Sequence, residues 1–334
     1  MNSIRRLHSL PRARLALLPT PLVEVPRLSA RLGGPRLWMK RDDQTGLGLG
    51  GNKVRKLEFL VGEARAQGCD TLVTSGAIQS NHCCQTAAAA AAVGLECVLA
   101  LGGEEPTGAL NGNLLLDRLF GATVRWCGAR RKGEEVPAIL EELRRSGRHP
   151  YEIPYGGSNE VGAMGFVAAM SELGAQLRAL RLRSASIVVA SSSGGTQAGM
   201  VVGADLFRLR VRIVGIAIDK VEAGEGSHEK RLADLARRLA LRLGMPARYT
   251  PGQFDVRTGY LGGGYGVIGE LERNAIALAA RTEGVVLDPV YTGRAMGGLV
   301  DLIQGDAFAH DEAIVFWHTG GTPALFGRAK ELAV

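Results

Sequence analysis

Gly50-Gly51-Asn52-Lys53-Val54-Arg55-Lys56-Leu57-Glu58 is the stretch on which the reading of this chain turns. Two glycines leave a loop, Asn52 is suited to cap a helix, and Lys53 falls in its first turn. Val54, Leu57, Leu60, Val61 and Ala64 recur at the helical period, so a helix with one apolar face is expected from Lys53 to about Gly68. A helix start carries partial positive charge and unpaired N–H groups, which disfavours an ammonium. Lys53 is therefore placed to lose its proton, the state in which an amine forms a Schiff base with a carbonyl. Taken alone, a lysine at a helix start is ordinarily a solvated cation, so the rest of the chain must decide.

Downstream the pattern is strand then helix, repeated. Thr71–Thr74, Cys97–Ala100, Thr123–Trp126 and Tyr151–Ile153 read as strands, with helices over Ser80 or Asn81 to Val93, Asn111–Phe120 and Glu134–Arg145 between them. A glycine-rich hinge, 154–159, precedes a long helix from Glu160 to Arg181. Strands follow at Ser186–Ala190, Val211–Ile218 and Ala313–Trp317, with helices near Lys230–Leu243 and Ile268–Arg281. Short apolar runs alternating with helices suit buried parallel strands, hence an α/β fold. Before this series the chain opens as an extended arm, and Thr20-Pro21-Leu22 cannot be helix interior.

Composition sets bounds. The chain has 334 residues, a net charge of +7 and 46% hydrophobic residues, enough for about two domains. The arginines, such as Arg178, Arg181 and Arg183, read as solvated helix faces without interleaved aromatics, so no nucleic-acid partner is expected. Five cysteines without metal-ligand spacing predict free thiols in a reducing cytoplasm and no metal site. No apolar stretch reaches the roughly 18–20 residues of a membrane span, and no secretory signal is evident.

Ser191-Ser192-Ser193-Gly194-Gly195-Thr196 is the second informative stretch. A strand, a turn of small residues and a helix start make an anion cradle from backbone N–H groups and hydroxyls. It lacks the Gly-Lys-Ser/Thr of the mononucleotide loop and the spaced glycines of the dinucleotide fingerprint. Ser80-Asn81-His82 marks another helix start, where Ser80 is either an N-cap or a hydroxyl aimed into a site. Tyr265 and Tyr291 lie in loops flanked by glycine or proline. An activated lysine, a hydroxyl–amide pair and a phosphate cradle together point to pyridoxal 5′-phosphate.

Gly50–Glu58, Gly76–His82, Gly195–Gly199 and Asp288–Tyr291 stand in an order that resembles the D-cysteine desulfhydrase and 1-aminocyclopropane-1-carboxylate (ACC) deaminase family, which are tryptophan-synthase-β-like, fold-type-II pyridoxal phosphate enzymes. The resemblance runs from about Leu18 to Phe326. It implies two open twisted α/β domains with the cofactor in the cleft between them: a small domain over 54–164, inserted into a large domain made of 1–53 and 165–334. It implies Lys53 as the Schiff-base lysine, Asn81 against the cofactor's phenolic oxygen, and Ser193, Gly194, Gly195 and Thr196 around its phosphate. Thr319 or Thr292 would lie near the ring nitrogen. Ser80, Asn81, His82 and Tyr291 would meet substrate, with Lys53, Ser80, Tyr265 and Tyr291 catalytic.

His82, Thr292 and Thr319 depart from the ACC deaminase pattern of glutamine, glutamate and leucine, and each matches the D-cysteine desulfhydrase side. A neutral threonine at the ring nitrogen makes a weaker electron sink, which suffices when a good group leaves Cβ. The expected reaction is α,β-elimination from a small amino acid, D-cysteine first. L-cysteate, with Lys220 near a sulfonate, ACC deamination, and a catalytically silent cofactor-binding regulator are the alternatives. A cytoplasmic homodimer is expected.

Overall fold

The computed structural model describes residues 2–220 and 226–332. The opening is not wholly extended. Helix α1 (Asn2–Ser9) forms because its Leu7 is buried against α9 (His228–Leu243). Next come β1 (Leu22–Glu24), α2 (Pro26–Leu32) and β2 (Arg36–Arg41), and then α3 (Lys53–Ala66), the helix predicted from the opening stretch. All five of its predicted apolar positions are buried, and so are Arg55, Lys56 and Glu58 on the other faces. Arg55 donates to both oxygens of Asp42 at 2.8 Å and to Glu172, and Trp317 Nε1 donates to Asp42 at 2.7 Å. The polar side of α3 is thus an internal network in which Arg55 pairs with Asp42 and Glu172, and Glu58 with Arg12.

The four-stranded sheet is built from β3 (Thr71–Ala77), β4 (Glu96–Gly102), β5 (Thr123–Trp126) and β6 (Pro150–Glu152), in the order β5-β4-β3-β6, all parallel. Helices α4 (Asn81–Val93), α5 (Gly112–Leu119) and α6 (Val136–Arg145) connect them. Side chains alternate across the sheet: Leu72, Cys97, Leu99 and Leu101 face the core shared with α3 and α4, while Val73, Val98 and Ala100 pack on α6.

The six-stranded sheet takes both ends of the chain. After α7 (Glu160–Ala179) come β7 (Ala185–Ser191), α8 (Gly195–Phe207), β8 (Val211–Ala217), α9 and β9 (Asp255–Arg257). Then follow α10 (Glu270–Glu283), α11 (Thr292–Gln304), β10 (Ala313–His318) and α12 (Thr322–Gly327). The strand order is β1-β2-β10-β7-β8-β9, parallel except for β1. Val188, Phe316 and Met39 meet α2, α10 and α11 on one face, and Ile187, Val315 and Trp317 meet α7 and α8 on the other. Burial on both faces explains the unbroken apolar runs. Helix α11 and the short strands β1 and β9 lack a sequence signal. In α11 the glycines at 293, 297 and 298 mask the period. They serve close packing, since a Cβ on Gly297 would come within 2.3 Å of Leu271.

One buried group is out of balance. Asp117 of α5 is fully buried, both carboxyl oxygens lack a hydrogen-bond partner, and burial raises its pKa to about 8. The unfolded chain releases this proton near pH 4 and the folded chain only near pH 8, so the group costs stability progressively across that window. Asp117→Asn is expected to be more stable than the parent, by a margin growing by up to about 1.4 kcal/mol per pH unit from pH 4 and level above pH 8. Urea unfolding of both proteins between pH 4 and 9 measures this; a margin independent of pH would contradict it.

Candidate active site

The carboxyl ends of strands from both sheets meet at one cavity. β2 leads through the glycine loop to Lys53, β3 to Asn81 and His82, β7 to residues 191–194, and β10 to Thr319; all of these, with Thr196 and Tyr291, line it. Gly50 lets the loop close. Its φ is +78°, and a Cβ there would sit 1.8 Å from the Asp43 carbonyl oxygen.

Lys53 makes no hydrogen bond or ion pair among the described residues, and its pKa is lowered to about 8. The expected direction holds, and burial is its cause. Asn52 does not cap α3 either: its Nδ2 donates to Thr196 Oγ1 at 3.1 Å, tying the lysine helix to the cradle. Lys56 is buried beside Lys53 and its pKa is also lowered, first by burial and then by the Lys53 charge. Unlike Lys53 it is engaged, donating to the Gly156 carbonyl at 3.0 Å and Ser158 Oγ at 3.1 Å.

The loop after β7 has the expected form. Gly194 has φ +91° and opens α8. A Cβ on Gly195 would come within 2.7 Å of Ser158 Oγ and 3.1 Å of Lys56 Nζ. Ser158 Oγ accepts the Gly195 N–H at 3.1 Å and lies 2.7 Å from Ser193 Oγ. Sequence reasoning missed Ser158; only its place in the glycine-rich hinge pointed to it.

Ser80 is the N-cap of α4, its Oγ accepting the Cys83 N–H at 3.2 Å. Asn113 Nδ2 donates to Asn81 Oδ1 at 2.7 Å, leaving the Asn81 amide N–H groups as donors. Thr74 Oγ1 donates to the Ile153 carbonyl, so it accepts from His82 Nε2 at 2.9 Å. Burial pushes the His82 pKa well down, so the imidazole is neutral with its proton on Nε2. Tyr265 and Tyr291 pair through their hydroxyls at 2.7 Å, rings edge to face. Burial raises both phenol pKa values, so both keep their protons at neutral pH.

One expectation shifts. Thr292 does not line the cavity: its Oγ1 donates to Asp288 Oδ1 at 2.7 Å and accepts the Asp288 N–H, also at 2.7 Å, closing a local turn. Thr319 does line it, so of the two threonines only that one borders the site. Lys220 lies in an adjoining depression with Tyr155, Ser158, Ser193 and Asp219. Arg294 gave no signal in the sequence. Fully buried, it pairs with Glu272 at 2.7 Å and donates to the carbonyls of Ile218, Gly264 and Val267, fixing the loop that carries Tyr265.

An unengaged amine near its neutral point, amide and hydroxyl donors, and a cradle too tight for a Cβ fit a phosphate-bearing aldehyde such as pyridoxal phosphate. Comparison with known proteins agrees. The chain is 42% identical to D-cysteine desulfhydrase of Klebsiella pneumoniae (strain 342) over 329 residues, 97% of this chain and 98% of that one. It is equally similar over 330 residues to D-cysteine desulfhydrase of Salmonella choleraesuis (strain SC-B67), with the same coverage. A crystal structure described as an ACC deaminase homologue superposes with a TM-score of 0.89 at 38% identity, covering 99% of this chain and 98% of that one. Threonine deaminase isoform 2 of Solanum lycopersicum shares the fold at 17% identity and a TM-score of 0.66, over 99% of this chain and 87% of that one. With residues 13–320 also matched by the family model described as pyridoxal-phosphate dependent enzyme, the chain belongs to that family.

Proposed function

We propose that this enzyme catalyses α,β-elimination from D-cysteine, consuming water and releasing pyruvate, hydrogen sulfide and ammonia. The observation that carries the substrate is the 42% identity, over nearly the whole of both chains, with relatives named D-cysteine desulfhydrase. When bound, pyridoxal phosphate supplies an electron sink for negative charge at the substrate α-carbon. Lys53 Nζ would be the attachment point for the cofactor and the base for the substrate α-proton, a task suited to an amine with a pKa of about 8. Ser193, Gly194, Gly195 and Thr196 would hold the phosphate through backbone N–H groups and hydroxyls. Asn81 Nδ2 would serve the cofactor's phenolic oxygen, and Thr319 would be the neutral partner of its ring nitrogen; both line the cavity. Ser80, Asn81 and His82 receive the substrate carboxylate. The Tyr265–Tyr291 pair, held protonated by burial, supplies a proton to the departing thiolate.

The division into a small domain over 54–164 and a large one made of both chain ends belongs to the same proposal. The two separate sheets support it. A cytoplasmic homodimer is the proposed setting. Free thiols at all five cysteines are consistent with a reducing compartment, and no helix among the described residues is long and apolar enough to cross a membrane. Product release from D-cysteine, L-cysteine, L-cysteate, β-chloroalanine and ACC tests the reaction. D-cysteine is expected to give equimolar pyruvate and sulfide at the highest kcat/KM. Dominant sulfite release from L-cysteate, or 2-oxobutyrate from ACC, would replace it.

A further inference from the structure

We propose that Arg131 is a positioning residue that sets the ring of Tyr265 and, through Asp219, fastens the four-stranded side of the cleft to the six-stranded side. Arg131 lies in the loop after β5. Its backbone comes so close to β4 that a Cβ on Gly102 would sit 2.5 Å from the Arg131 Cβ, so the loop is held against the sheet end. The guanidinium makes three contacts at once. Nη1 donates to the Tyr155 hydroxyl at 3.1 Å, Nη2 donates to Asp219 Oδ2 at 3.0 Å, and the group stacks 4.3 Å from the centroid of the Tyr265 ring. Tyr155 follows β6 of the small sheet, whereas Asp219 and Tyr265 belong to loops of the large one. Asp219 is itself fixed, its other oxygen accepting the Lys220 N–H at 2.9 Å.

The division of labour follows from these contacts. Arg294 holds the backbone on both sides of Tyr265 from within the core, at Gly264 and Val267. The ring itself packs against the hydrophobic core of the six-stranded side, with Arg131 over its face and Tyr291 edge to face at its hydroxyl end. A planar fork can stack on a phenol and bridge two oxygen partners together; a lysine ammonium cannot do both. A line of contact therefore runs from Arg131, through Tyr265 and Tyr291, to the cavity shared with Lys53. The groups facing the Tyr265 phenol are Arg131, Asp219, Asp288, Tyr155 and Tyr291, and of these Arg131 is the cation.

The proposal rests on the reading of Tyr265 as catalytic, so its test keeps the two apart. Protein labelled with 13Cζ-tyrosine, free of cofactor, is titrated by NMR, with Tyr265→Phe assigning the resonance among six tyrosines. In Arg131→Met the Tyr265 ionisation is expected to move up by about one pH unit, because the facing cation is gone. In the loaded enzyme, Arg131→Met is expected to lower kcat for pyruvate release about tenfold or more, with cofactor affinity within about twofold of the parent. Arg131→Lys is expected not to restore kcat, and Asp219→Asn to give an intermediate loss. An unmoved Tyr265 resonance, or full kcat in Arg131→Lys, would overturn the positioning role. If Tyr265→Phe itself keeps full kcat, the catalytic reading of Tyr265 fails, whatever the NMR shows for Arg131.

Discussion

Lys53→Ala is expected to abolish the borohydride-reducible attachment of pyridoxal phosphate and to lower pyruvate release by at least ~10³-fold, with the fold intact. Two lysines lie side by side, and the structure distinguishes them. Lys56 Nζ is spent on the Gly156 carbonyl and Ser158 Oγ, whereas Lys53 has no hydrogen-bond or ion-pair partner among the described residues and lines the cavity. Burial brings the Lys53 pKa from its ordinary value of 10.5 to about 8. The neutral amine is the nucleophile, so lowering the pKa raises its share at every pH below 10. The rate at which cofactor-free enzyme takes up pyridoxal phosphate is therefore expected to rise with pH to a midpoint near 8. Stopped-flow absorbance checks this, and a midpoint near 10.5 would show an exposed amine. Unfolding curves of Lys53→Ala are expected to match those of the parent, since α3 is anchored elsewhere by Arg55 and its apolar face.

Gly195→Asp is expected to weaken cofactor binding by at least ~10²-fold. Two costs add. The new Cβ would start 2.7 Å from Ser158 Oγ and 3.0 Å from its Cα, so the cradle must open. The carboxylate would also face a phosphate dianion in a partly dehydrated loop, where like charges repel strongly. Gly195→Ala carries only the first cost and is expected to lose less. Fluorescence titration of cofactor-free protein separates the two; equal affinities for parent and Gly195→Asp would remove the 193–196 loop from the site.

The sequence was most legible where one local rule decided the outcome. Apolar runs such as Ser186–Ala190 and Ala313–Trp317 are strands because both their faces are buried, and the helix from Lys53 followed from its spacing. Motif residues far apart in sequence, such as Lys53, Asn81, Thr196, Tyr291 and Thr319, do line one cavity. What could not be read depends on tertiary contact. Nothing near Arg294 says that its guanidinium will collect three carbonyls from distant loops. Asn113 orients Asn81 across 32 residues of chain. Thr292 looked equivalent to Thr319, yet its hydroxyl is spent on Asp288 four residues back. The Lys53 pKa shows the same limit: position on a helix suggested the direction, and depth in the fold supplies the cause.

Peptide mapping by mass spectrometry after borohydride reduction of the pyridoxal-phosphate-loaded enzyme tests the central claim most directly. The account predicts one phosphopyridoxyl addition per chain, on Lys53, lost in Lys53→Ala and retained in Lys56→Met. Stoichiometric label on Lys56 or on any other lysine, with Lys53 unmodified, would contradict it.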